Sequence, residues 1–150
     1  DGARKEAVVR RAREKQLDNV TFLEPVAKER VPSYLSLIDA MLVPLIKSDT
    51  FKTVIPSKIF EAAAMHKPIL LGVDGQAKEI VEGYGAGICF EPENEDDFIT
   101  GLRTLREKKE LYENLQKGCK KLADDFDRKR LARTMLTCIE ELSQKGKSRD

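Results

Sequence analysis

Three short apolar runs are separated by stretches of helical periodicity: Ala40-Met41-Leu42-Val43-Pro44-Leu45, Ile69-Leu70-Leu71-Gly72 and Ile88-Cys89-Phe90. This alternation constrains the fold more than any other feature. A run that is apolar throughout, rather than at every second residue, belongs to a strand covered on both faces, as in a parallel sheet. Parallel neighbours need a crossover, usually a helix, and helix-like segments fill the gaps. Ser57 to Met65 has Ile59, Phe60, Ala63 and Ala64 apolar, and Gln76 to Glu82 can be capped by Asp74 and ended by Gly83. An earlier β-rich run, Val20-Thr21-Phe22-Leu23, is stopped by Pro25. The helix that follows, about Lys28 to Ile38, tolerates Pro32 only in its first turn. The fold class expected is α/β, a Rossmann-like doubly wound parallel sheet of about four strands with a helical C-terminal segment.

Charged helix Ala3 to Gln16, with Ala3, Ala7, Val8 and Ala12 on one face, opens the chain. From Glu95 onward the sequence is helical. Asn94 and Asp97 resemble a capping box, with Phe98, Leu102 and Leu105 as the inward stripe of the first helix. Leu111, Leu115, Cys119 and Leu122 mark a second helix. Asp127 can cap a third, whose stripe is Leu131, Met135, Ile139 and Leu142. Residues 1–143 are expected to form one domain and 144–150 a frayed tail. With 27 Lys+Arg against 26 Asp+Glu, the formal net charge of +1 excludes a strongly basic nucleic-acid binder. Cys89, Cys119 and Cys138 are too scattered for a zinc ligand set and read as reduced, mostly buried thiols of a cytoplasmic protein.

In doubly wound sheets ligands bind beyond the carboxyl ends of the strands. The loops after Leu23, Leu45, Gly72 and Phe90 are therefore the places to search. The loop after Leu45 is long and polar, and it runs into a helix near Pro56. With Pro56 as first helical residue the cap falls to Ile55, which cannot accept a hydrogen bond. The N–H groups of Ser57 and Lys58 are then open to an anion, assisted by the Lys58 ammonium, and Glu61 can take a vicinal diol. The alternative is that Ser57 caps its own helix, Glu61 complements the dipole and Lys58 is solvated. On the residues alone both readings stand. Asp125-Phe126-Asp127 has the form of a metal motif but is better explained by helix capping at Asp127. His66 fits an ordinary helix end. Gly83-Tyr84-Gly85-Ala86-Gly87 follows a helix and enters a strand, the reverse of the dinucleotide fingerprint. The basic helix near the start lacks the bulky apolar side of a membrane-surface helix.

Taken in order, several segments resemble one known family. They are Asn19 to Val26, Val31-Pro32-Ser33-Tyr34-Leu35, Ala40 to Leu45, Ile55-Pro56-Ser57-Lys58-Ile59-Phe60-Glu61-Ala62 and Lys67-Pro68-Ile69-Leu70, with Asp74-Gly75, Glu79-Ile80-Val81 and Gly85-Ala86-Gly87-Ile88 further on. Together they resemble the C-terminal domain of group 1 (family 4) retaining glycosyltransferases of the GT-B fold, especially bacterial surface-polysaccharide enzymes with a Pro-Ser-Lys-x-x-Glu segment. The resemblance covers about 125 residues. It implies a domain that binds a nucleotide-sugar donor, a UDP-sugar rather than a GDP-sugar, without metal or other cofactor. It assigns Glu61 to the ribose hydroxyls and Pro56, Ser57 and Lys58 to the donor phosphates or sugar. It places the base against the backbone of Glu24 to Val26. The acceptor it implies is a glycan or lipid-linked molecule, bound by an N-terminal domain of the parent enzyme. A parent at the inner face of the membrane is compatible with it.

Two departures from the family pattern stand out. The family's commoner motif has two glutamates separated by seven residues, and counting back from Glu61 reaches Thr53. The family's phosphate-neutralising arginine and lysine come from a first βα unit that would precede Asp1-Gly2. In the strand order 3-2-1-4-5-6 the strands here would be the third to sixth. Two strands at about 4.8 Å each would then be missing between Val20–Leu23 and Met41–Leu45. The expected outcomes are direct re-pairing of those edges, a dimer or strand swap between two copies, or a fragment of a larger polypeptide. An epimerase of the same fold and a non-catalytic α/β interaction module are the rival functions.

Overall fold

The computed structural model describes residues 4–147, with side chains described through Ser143. The expectations placed on Asp1, Gly2 and Ala3, and on residues 148–150, lie outside the described residues. Two compact units divide the chain, Asp1–Tyr34 and Leu35–Asp150. In the first, α1 (Lys5–Glu14) buries Ala12 but leaves Val8 half-exposed. Residues 20–23 form no strand, contrary to expectation, and Val20, Phe22 and Leu23 remain exposed. An apolar run becomes a strand only when a neighbour takes its backbone N–H and C=O groups. Helix α2 (Val31–Leu37) follows a single 3-10 turn, with Pro32 in its first turn.

The second unit contains a parallel sheet of three strands, β1 (Met41–Pro44), β2 (Ile69–Gly72) and β3 (Gly87–Cys89), in the order β1-β2-β3. The expected total of about four is corrected to three among the described residues. Met41 pairs with Ile69 and Ile69 with Gly87, so the three carboxyl ends open on one side. Helices α3 (Lys58–Ala64) and α4 (Gln76–Tyr84) are the crossovers, followed by α5 (Glu95–Glu107), α6 (Lys109–Asp125) and α7 (Arg128–Lys147).

All four residues of β2 are buried, as a wholly apolar strand requires. Ile69 and Leu71 join Val43, Ile59, Val81 and Leu122 in one core, while Leu70 joins Phe90, Leu105 and Leu115 in another. Those two cores lie on opposite faces, because successive strand side chains alternate. Strand β1 does not match its expected double burial. Val43 is buried, but Leu42 on the other face is 43% exposed, since β1 is an edge strand among the described residues.

Helix ends follow local chemistry. Asn94 Oδ1 accepts from the Asp97 N–H at 3.0 Å and Asp127 Oδ1 from the Arg130 N–H at 2.9 Å, as expected of both caps. Asp74 does not cap α4, whose N-cap is Gly75, and α4 runs on to Tyr84 and stops at Gly85 in the left-handed conformation rather than at Gly83. In α5 the sheet-facing residues are Gly101 and Leu105, and Leu102 stays 45% exposed. In α7, Leu131, Met135, Ile139 and Leu142 are all about half-exposed or more, so this stripe is largely uncovered among the described residues. Cys119 is buried and its thiol, pushed up to about 12 by burial, donates to the Ala86 carbonyl at 3.1 Å. Cys138, in contrast to the expectation for the thiols, is exposed. No described helix is long and apolar enough to cross a membrane.

Two helical glycines separate packing from propensity. A Cβ on Gly118 of α6 would collide with the Gly85 and Tyr84 carbonyl oxygens, whereas one on Gly83 of α4 meets nothing. Gly118→Ala is expected to destabilise the chain by about 3 kcal/mol, because rigid backbone must move. Gly83→Ala should stabilise it by roughly 0.5–1 kcal/mol. Urea-denaturation midpoints of the two variants check both signs.

Candidate functional site

The chain leaves β1 through Leu45, whose N–H still bonds the Gly72 carbonyl at 3.0 Å. Lys47 then ties this exit to the segment after β3. Its N–H donates to Glu93 Oε2 at 3.0 Å, and its Nζ donates to Glu91 Oε1 at 2.9 Å. The ammonium beside Glu91 holds that carboxyl below the usual glutamate range, helped by the Asn94 amide. The same contact raises Lys47 above the usual lysine range. A 3-10 turn, Asp49–Thr53, follows, closed by Phe51 N–H to Ser48 carbonyl at 3.1 Å and by a Lys52–Asp49 ion pair at 2.6 Å.

Helix α3 begins at Lys58, one residue after the expected Ser57, and Ser57 at its N-cap already has helical φ −58° and ψ −26°. The Pro56 carbonyl accepts from the Ile59 N–H at 3.1 Å and the Ser57 carbonyl from the Phe60 N–H at 3.0 Å. Ser57 makes no side-chain cap. Its hydroxyl instead donates to Glu61 Oε1 at 3.2 Å. That leaves Glu61 Oε2 and the N–H groups of Ser57 and Lys58 without hydrogen-bond partners among the described residues. Ser57, Lys58 and Glu61 are exposed and Pro56 is half-buried. An exposed carboxylate with spare lone pairs can accept two hydroxyl donors, and free N–H groups at a helix start can receive an anion.

Thr53, the other expected member, donates its hydroxyl to the Thr50 carbonyl at 3.3 Å, inside its own turn. Glu24 and Val26 belong to the first unit, in irregular backbone. There both Glu24 carboxylate oxygens accept from Lys5 Nζ at 3.0 Å, while Val26 is half-buried.

Folding adds neighbours that sequence spacing does not reveal. Phe60 stacks on Phe126 at 4.9 Å, bringing the α6–α7 junction beside α3. Ser57, Phe60 and Glu61 thereby share a depression of about 670 Å³ with Phe126, Arg128 and Lys129. The sequence signal for this junction was Asp125-Phe126-Asp127. Its acids serve structure: Asp125 accepts from the Tyr84 hydroxyl at 3.1 Å and pairs with Arg130 at 3.0 Å, and Asp127 caps α7. His66, in the left-handed conformation at the end of α3, offers its carbonyl to Gln116. Among the described residues no group of three or more His, Cys, Asp or Glu side chains could hold a metal ion.

The family model for Glycosyl transferases group 1 matches residues 1–122. No curated protein matches the chain.

The Lys47–Glu91 pair makes the link between the two loops dependent on acid. Glu91 titrates lower in the folded chain, so its contribution is present above the unfolded glutamate value and disappears as pH falls through the depressed one. Lys47 titrates higher, so its share lasts until alkaline pH passes the raised value. A double-mutant cycle of Lys47→Met and Glu91→Gln, measured by urea denaturation, should show favourable coupling at about pH 7 and none at about pH 3.

Proposed function

The chain belongs to the Glycosyl transferases group 1 family, and on that footing we propose that it is the donor-binding part of a retaining enzyme that transfers a sugar from a nucleotide-sugar to a glycan or lipid-linked acceptor. The observation that carries this reading is the start of α3. Glu61 stands exposed with one oxygen fixed by Ser57 and the other free, next to two unengaged N–H groups and the Lys58 ammonium. A ribose diol and a diphosphate are neighbouring parts of one nucleotide, and these two kinds of group recognise them side by side.

In this reading Glu61 accepts hydrogen bonds from both ribose hydroxyls, and Ser57 restricts its rotation. Lys58 and the N–H groups at the start of α3 take charge that grows on the departing nucleoside diphosphate, which is electrostatic stabilisation of the leaving group. The donor is a UDP-sugar carrying a hexosyl or N-acetylhexosaminyl unit, and the acceptor is bound by another domain of the parent enzyme.

Calorimetric titration of the chain with UDP, GDP and ADP tests the reading. Each charge-assisted hydrogen bond is worth about 1.5–3 kcal/mol, so Glu61→Ala should weaken UDP roughly 10- to 100-fold. UDP affinity that survives this change would refute the ribose assignment. Absence of binding to every nucleotide would favour the interaction module.

A further inference from the structure

Helix α7 combines a concentrated positive charge with an exposed apolar face. Arg128–Lys147 has six Lys or Arg against two Glu, whereas all other residues together have 21 Lys or Arg against 24 Asp or Glu. The near-neutral total therefore conceals a cationic helix joined to a slightly acidic body. Along the helix Leu131, Met135, Ile139 and Leu142 recur every three or four residues and share one face, with Leu136 beside them. All five are about half-exposed or more, up to 69% at Leu142. We propose that α7 lies on an anionic lipid surface, with this stripe at the headgroup boundary and its basic residues against the lipid phosphates.

Charge decides between a bilayer and a second copy of the chain. Two α7 helices laid face to face would bring two net-positive helices together, whereas an anionic bilayer attracts each of them. Arg128, Lys129, Arg130 and Arg133 all lie in the first two turns, so that attraction is strongest at one end. The stripe from Leu131 to Leu142 runs about 16 Å along the axis. A bulky apolar side together with Lys or Arg on the polar side marks a helix that rests flat where headgroups meet acyl chains. Helix α1 is basic too, but its apolar side is only Ala7, Val8 and Ala12, and Ala12 is already buried.

Entry into a less polar layer costs α7 little. The Thr134 and Thr137 hydroxyls donate to the Arg130 and Arg133 carbonyls, both at 3.1 Å, so neither is left unpaired. Of the two acids, Glu140 falls opposite Leu131 on the helix and Glu141 at the border of the stripe. The long stems of Lys129 and Arg133 can lie along the apolar layer while their charged ends stay among the headgroups.

The first turn of α7 is tied to the body of the chain. Asp127 caps it, and Arg130 donates to Asp125 at 3.0 Å and to the Asp124 carbonyl at 3.3 Å. Leu131 also lines the depression beside Glu61, with Phe60 and Phe126. A bilayer against α7 therefore holds that depression at the membrane surface. The inference stands on α7 itself and does not depend on which ligand the depression binds.

The test is co-sedimentation of the chain with vesicles of phosphatidylcholine alone and of phosphatidylcholine mixed equally with phosphatidylglycerol. Binding should be confined to the anionic vesicles. It should weaken at least about fivefold between about 0.1 M and 1 M salt, as the screening length shrinks. Lys129→Gln with Arg133→Gln should lower partitioning at least about fivefold, and Met135→Gln with Ile139→Gln at least about tenfold. A polarity-sensitive dye on Cys138, the exposed thiol where Cys119 is buried and Cys89 half-buried, should shift to the blue on those vesicles. No binding, equal binding to both vesicle types, or full binding by the Met135→Gln, Ile139→Gln chain overturns the proposal. So does a lipid-free dimer, detected by sedimentation equilibrium, that dissociates in that variant, because a second copy would then cover the stripe. All four substituted side chains are exposed, so urea midpoints should match those of the unchanged chain and exclude a folding defect.

Discussion

Ile69, Leu70 and Leu71 divide their side chains between two cores, one closed by α3, α4 and α6 and the other by α5 and α6. The parallel pairing on either side of β2 then dictates where each loop of the second unit emerges. With β1, β2 and β3 all pointing the same way, the loops carrying Lys47, Asp74 and Glu91 are delivered to one edge of the sheet. The register of β2 is fixed by size: a Cβ on Gly87 would strike the Ile69 carbonyl oxygen and one on Gly72 the Phe90 ring, so no bulkier residue can slip into either place. The places of the loops at the carboxyl ends are inherited from that constraint.

Much of this was legible because it depends on near neighbours. The burial of β2, the Asn94 cap and the Asp127 cap each follow from residues within one element or one turn of it. Features governed by partners elsewhere do not follow from the local sequence. Strand β1 has almost the same apolar run as β2, but it lies at an edge, so Leu42 is exposed where Leu70 is buried. Val20 to Phe22 have β-prone side chains, yet propensity forms no strand without a pairing partner. In α7 the stripe from Leu131 to Leu142 is strongly patterned, and pattern indicates which side of a helix is apolar without supplying the surface that covers it.

The candidate site divides along the same line. Pro56-Ser57-Lys58-Ile59-Phe60-Glu61 marks the start of α3 but leaves open whether Ser57 caps it, and the structure shows no side-chain cap there. With Lys58 as first helical residue the cap position falls to Ser57, whose hydroxyl could cap but is turned to Glu61 instead. The Lys47–Glu91 pair joins residues 44 positions apart, and the approach of Phe126 to Phe60 requires α6 to pack on α3. Periodicity contains no information about either. Thr53 marks the middle ground: counting back from Glu61 finds it in the chain, but the backbone of its own 3-10 turn takes its hydroxyl.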